Sequence, residues 1–194
     1  MRIVVCRMLS GAVAVLVLSC AAPQVGPPAS VRRVAVLQPS NRTGDGLLIA
    51  GASLLERYAL KTERVTVPDV LAAEARVQLV RRDIDVVPPD VVENATSGRA
   101  PGSPAAAAEL ARQGKLDVPV LYLEIRRWDP DAGTHPAYVI VALDASLVDP
   151  ATGGVLWEMH RPARPVATPG AVTLGSAYVD AAQKVTEELF APWK

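Results

Sequence analysis

Val118-Pro119-Val120-Leu121-Tyr122-Leu123-Glu124-Ile125-Arg126-Arg127-Trp128 is the stretch whose reading decides the fold. Val120, Leu121, Tyr122 and Leu123 are apolar on both faces of an extended chain, which marks a strand covered from two sides. From Glu124 the pattern alternates, Glu124 and Arg126 on one face and Ile125 on the other, so the far end of this central strand reaches solvent. Downstream, Asp129-Pro130-Asp131-Ala132-Gly133 reads as a turn and residues 137–148 as a long returning strand. Residues 149–154 turn again, and residues 155–160 complete a meander. Leu174, Tyr178, Ala181, Val185 and Leu189 then recur at helical spacing and mark a C-terminal amphipathic helix ending near Pro192.

Upstream, helices and short strands alternate. Ser103-Pro104 has the N-cap and first-turn proline of a helix through the following alanines, with Gly114 as its stop. Residues 84–87 form a short β-branched run closed by Pro88 and Pro89, and residues 90–95 predict a helical turn or two. Residues 64–67 predict a short strand; Thr66 then N-caps a helix, with Asp69 in its first turn and Val70, Ala73, Val77 and Val80 on one face. Residues 31–37 predict the first strand, residues 41–46 a loop, and residues 46–60 a helix with a broad apolar face. The fold class is α/β, a mixed sheet with early parallel crossovers and a late antiparallel meander, flanked by helices in a single domain over residues 31–194.

The chain begins differently. Arg2 and Arg7 give a positive n-region, residues 8–18 an apolar run far too short to span a bilayer, and Val17-Leu18-Ser19-Cys20 resembles the bacterial lipoprotein signal. That resemblance implies cleavage before Cys20, a diacylglyceryl group on its thiol, and an acyl chain on the new amine. A thiolate is nucleophilic enough near neutral pH to take the lipid, and two or more chains make anchoring stable. Ala21 follows Cys20 where an aspartate would signal inner-membrane retention in such lipoproteins, so outer-membrane placement with the domain facing the periplasm is expected. Residues 20–30 form a Pro-rich tether, and ten residues reach roughly 30 Å when extended.

Removing residues 1–19 from the 194 leaves 175, enough for one domain with a real core. Arg2 and Arg7 leave with them, so 20 basic residues become 18 against 20 acidic ones. That mixed surface gives no ground for a nucleic-acid partner. Cys6 leaves with the signal and Cys20 is consumed by lipid, so no disulfide is available and packing must supply the stability.

The segments 121–128 and 145–157, the latter containing Asp149-Pro150-Ala151-Thr152-Gly153-Gly154-Val155-Leu156-Trp157, resemble the paired strands of the DUF799-type bacterial lipoproteins. Val34-Ala35-Val36-Leu37-Gln38-Pro39-Ser40-Asn41 resembles the first strand and Pro-Asn loop shared by that group, the CsgG-type curli secretion lipoproteins and the TolB amino-terminal domain. The middle departs from the pattern, with Arg82-Asp83-Ile84-Asp85-Val86-Val87-Pro88 in place of a more aromatic segment. The resemblance implies an α/β domain tethered to the outer membrane, no catalytic residues to carry over, and a role as accessory or subunit of an envelope assembly. CsgG-type relatives form oligomeric channels, and a related class activates peptidoglycan synthases.

Chemistry-bearing motifs are sparse. His135 and His160 lack zinc-ligand spacing, Asp129-x-Asp131-x-Gly133 lacks the further ligands of a calcium loop, and Gly175-Ser176 lies in a predicted helix without a nucleophile elbow. His135 reads as a turn residue beside Pro136, and His160 as an exposed strand end. Trp128 and Trp157 end strands, either as half-buried anchors of a partner surface or, more simply, as caps on the core. The expectation is a non-enzymatic outer-membrane lipoprotein with no cofactor beyond the lipid on Cys20. Its partners are the membrane, through that anchor, and a periplasmic or outer-membrane protein, with self-association left open. An oligomeric CsgG-like pore subunit is the alternative, although membrane hairpins with aromatic girdles are missing, and an envelope hydrolase comes third.

Overall fold

The computed structural model describes residues 26, 30–49 and 65–193. The segment read as signal, Cys20 and most of the tether lie outside the described residues. Strand β1 (Arg33–Val36) is followed by β2 (Ser40–Asn41), β3 (Leu48–Ile49) and β4 (Val65–Thr66). Helix α1 (Val67–Val80), β5 (Asp85–Val86), α2 (Pro89–Thr96) and α3 (Pro104–Gln113) come next. The chain closes with β6 (Val120–Pro130), β7 (Tyr138–Val148), β8 (Val155–Ala167) and α4 (Leu174–Phe190).

The main sheet runs β5-β1-β6-β7-β8, with β2 pairing β6 beyond the end of β1. β1 is parallel to β5 and β6, whereas β6, β7 and β8 are antiparallel, so the mixed sheet read from the sequence is the one that forms. β6 lies centrally because alternate residues are claimed by two cores. Leu121, Leu123 and Ile125 pack beneath α1 and α4, and Val120 and Tyr122 pack with Ala107, Ala108 and Ala111 of α3 and Val92 of α2. The small alanines let α3 approach the sheet closely, and Leu or Val on the sheet fills the space they leave.

Local chemistry sets the helix ends. Thr66 and Asp69 form a capping box at the start of α1, and Gln38 Nε2 donates to Asp69 Oδ1 at 3.1 Å, tying the end of β1 to that cap. Thr173 and Ser176 form a second capping box on α4. At the other end of α4, Arg82 Nε donates to the carbonyl of Phe190 (2.7 Å), which also accepts from the Trp193 amide (2.9 Å), and to that of Trp193 (3.1 Å).

Three sequence expectations are corrected. The helix expected over 46–60 does not begin there: Leu47 has φ +44°, and Leu48–Ile49 pair antiparallel with Val65–Thr66. A left-handed residue followed by strand pairing cannot be a helix start; the remainder of that expectation lies outside the described residues. The turn expected at 129–133 starts later, because Asp129 and Pro130 still pair with Ile140 and Val139. Finally, β8 does not stop at His160 but runs on to Ala167, through Pro162 and Pro165. It is an edge strand, where a proline need not supply a ladder donor, and its register shifts between Val141 and Leu143 of β7. At that bulge Arg161, 6% exposed, donates to the Val141 carbonyl at 2.6 Å and pairs with Glu188 of α4 at 3.0 Å.

Candidate functional site

Among the described residues, the sheet face under α2 and α3 is covered only at one end. β6 presents Val120 and Tyr122 to those helices, then Glu124 and Arg126 on the same face, where the contact ends. Cross-strand register places Asp144 of β7 opposite Glu124, and His160 of β8 opposite Asp144. The outcome is a polar ladder across four strands. Arg42, just past β2, donates to the Gly102 carbonyl at 2.6 Å and lies 3.6 Å from Glu124 Oε2. The Tyr122 hydroxyl donates to the same Glu124 oxygen. Arg126 Nε is 3.1 Å from Asp144 Oδ2, and His160 Nδ1 bonds Asp144 Oδ1.

Electrostatics follow from half-exposure. Burial, and then the Glu124 carboxylate that its hydroxyl bonds, push the Tyr122 phenol well above its ordinary range. It therefore stays a donor. Arg126 Nη2 also approaches His160, 2.8 Å from Nδ1 and 3.0 Å from Nε2. Exposed ion pairs of this type stabilise a fold by about 0–1 kcal/mol each, too little to explain the ladder as a device for stability alone. What it does present is an ordered stripe of alternating charge.

The other sequence candidates fall elsewhere. Trp128 is 1% and Trp157 3% exposed. This corrects the reading of either as a presented partner surface; both are core. Trp128 meets Tyr178 edge-on at 6.3 Å, and Trp157 meets Trp193 edge-on at 4.9 Å and stacks with Phe190 at 6.4 Å. The strand ends they occupy are covered by α4 and the residues after it, which the sequence pattern alone does not reveal. His135 is the turn residue read from the sequence, with φ +51°. It lines a shallow apolar cleft of about 480 Å³ with Pro136, Pro169 and Val172. His160 is exposed but sits within β8 and not at its end. Asp131 Oδ1 accepts from the amides of Ala137 (3.0 Å) and Tyr138 (3.2 Å), closing the hairpin loop. Ser176 is a cap residue. Among the described residues no cluster of three His, Cys, Asp or Glu could hold a metal, and no helix is long and apolar enough to cross a membrane. Cys20 lies outside them.

The alternation at Glu124 and Arg126 was the one sequence signal for the ladder. Its members from β7 and β8 could be matched to it only through register.

No family model matches the chain, and no curated protein matches it. Solved structures of similar shape include a PelC dodecamer from Paraburkholderia phytofirmans, 20% identical over 87% of this chain and 92% of that one, with a TM-score of 0.49. Lipoprotein GNA1162 from Neisseria meningitidis is 17% identical over 81% of this chain and 99% of that one, TM-score 0.45. Protein XCC0632 from Xanthomonas campestris, assigned to DUF330, is 17% identical over 88% and 92%, TM-score 0.46. None of these three is described as DUF799 or CsgG-type. At such identities the likeness is one of overall shape.

Proposed function

We propose that this chain is a non-enzymatic outer-membrane lipoprotein, anchored by acyl chains on Cys20, whose periplasmic α/β domain serves an envelope complex as accessory or assembly subunit. The observation that carries the reading is the ladder of Arg42, Glu124, Arg126, Asp144 and His160, ordered and open on a sheet face that no described helix covers at that end. A stripe of fixed alternating charge selects a partner by complementarity and rejects wrong ones by like-charge contact. The backbone of Gly26 lies beside the Pro192 carbonyl, where an added Cβ would come within 3.1 Å of it.

Two experiments test the parts separately. Cys20→Ser in cells leaves the protein off the membrane fraction; a processed, membrane-bound Cys20→Ser protein refutes the anchor. A photo-crosslinking residue at Arg126 captures a specific envelope protein, identified by mass spectrometry, and the same residue at exposed Val80 on α1 does not. Equal patterns from both sites would remove the ladder from the argument.

A further inference from the structure

The sheet has two edges, and they are guarded unequally. β5 is two residues long, too short to template a partner, while β8 is thirteen. The Leu37 amide donates to Leu121 and the Arg42 amide to Ile125, so odd-numbered β6 residues turn their backbone groups toward β1 and β2, and even-numbered ones toward β7. Carried through Glu124↔Asp144 and Ala145↔Met159, the alternation turns Trp157, Met159 and Arg161 toward β7. Glu158, His160 and Pro162 then face outward. Pro162 has no N–H and, with Arg164 and Pro165, blunts the distal half of the edge as edge strands in soluble proteins usually are. Val155 is 49% exposed beside the register shift at Trp157, and residues 157–161, between that bulge and Pro162, carry no such guard among the described residues.

The side chains of the unguarded half are self-complementary. Glu158 faces Ser146 across β7 and makes no ion pair or hydrogen bond among the described residues, while His160, two positions on, shares its face. We infer that two copies of this chain pair antiparallel through residues 157–161 of β8, about a two-fold axis at Met159. In that register Glu158 of each copy stands opposite His160 of the other, each exchanging its free N–H and C=O with its counterpart. The ladder continues as Arg126, Asp144, His160 and then the second copy's glutamate. Centring the axis on Glu158 instead would set two carboxylates directly opposite, which is unfavourable. Met159, packed on the α4 side, meets its own symmetry mate at the axis. A closed, isologous pair of this kind buries the edge without leading to a fibre.

The inference rests on the β8 edge and holds whether or not Cys20 is lipidated. Met159 is the centre of a non-hydrogen-bonded pair, where Cα atoms stand about 4.5 Å apart, within disulfide reach. Purified full-length Met159→Cys chain, with Cys6→Ser and Cys20→Ser in it and in every comparison chain so that no other thiol is present, mildly oxidised in detergent, is expected to form a disulfide-linked dimer on a non-reducing gel. The parent chain and Val155→Cys, which falls well off the axis, are expected to form at least tenfold less. Adding Glu158→Arg to Met159→Cys is expected to cut the dimer at least tenfold. The double variant Glu158→Cys/His160→Cys keeps Met159 in its packing and is expected to dimerise as well. Folded Met159→Cys that stays monomeric, or crosslinking of Val155→Cys at equal yield, overturns the proposal. An edge occupied by a peptide of another protein gives the first of those results.

Discussion

Gly114 shows how one residue type can be read correctly and for the wrong reason. Its φ of −79° is one that any residue adopts, so the left-handed freedom that makes glycine a common helix stop is not used; Lys115, at φ +56°, takes the left-handed position. What excludes a side chain is α2, since a Cβ would lie 2.5 Å from the Ala95 carbonyl oxygen. Gly114→Ala is therefore expected to destabilise by about 1–3 kcal/mol, read as a fall in the urea midpoint, because backbone must move to admit the methyl. Tyr122 carries the pH prediction. Its folded phenol is raised above the unfolded value, so its contribution is complete below about pH 10 and is lost as pH climbs through the folded value. In ultraviolet titration of the native protein this phenol ionises late, as does the buried Tyr178, and Tyr122→Phe is expected to remove one of the two late-ionising phenols and to cost about 1 kcal/mol through the lost bond to Glu124.

At the scale of elements, the caps were legible because they are local. Thr66 and Asp69, three apart, close the box at the head of α1 wherever that helix packs, and Ser103 caps α3 by accepting from the Ala106 amide ahead of a first-turn Pro104. Thr66→Ala is expected to cost about 1 kcal/mol in denaturant unfolding, with Asp69 still held by Gln38. Strand ends were less legible. β8 overran its expected stop because whether a proline ends a strand depends on whether the strand has a neighbour on that side, and neighbours are set by topology. Leu47–Ile49 turned to pairing with β4 for a similar reason: an apolar run satisfies helical and extended periodicity alike until a partner strand arrives.

For the whole molecule, the aromatic core fixes the expected spectroscopic behaviour. Trp128, Trp157 and Trp193 are each at most 3% exposed, so the native protein is expected to fluoresce at short wavelength and shift red in one step on unfolding. A native emission maximum at the position of free indole in water would contradict this packing. The sequence by itself determined the order of elements from β4 onward, the central place of β6, the switch from parallel to antiparallel pairing and the caps, because these depend on the period of apolar residues and on side chains three or four positions apart. Only the tertiary structure decided that Trp128 and Trp157 are interior, that Asp144 and His160 join Glu124 and Arg126 in one stripe, and that residues 157–161 of β8 are an unguarded edge among the described residues. Each of those depends on which strands become neighbours and in what register, and a shift of one residue would have turned every side chain of a strand to the opposite face.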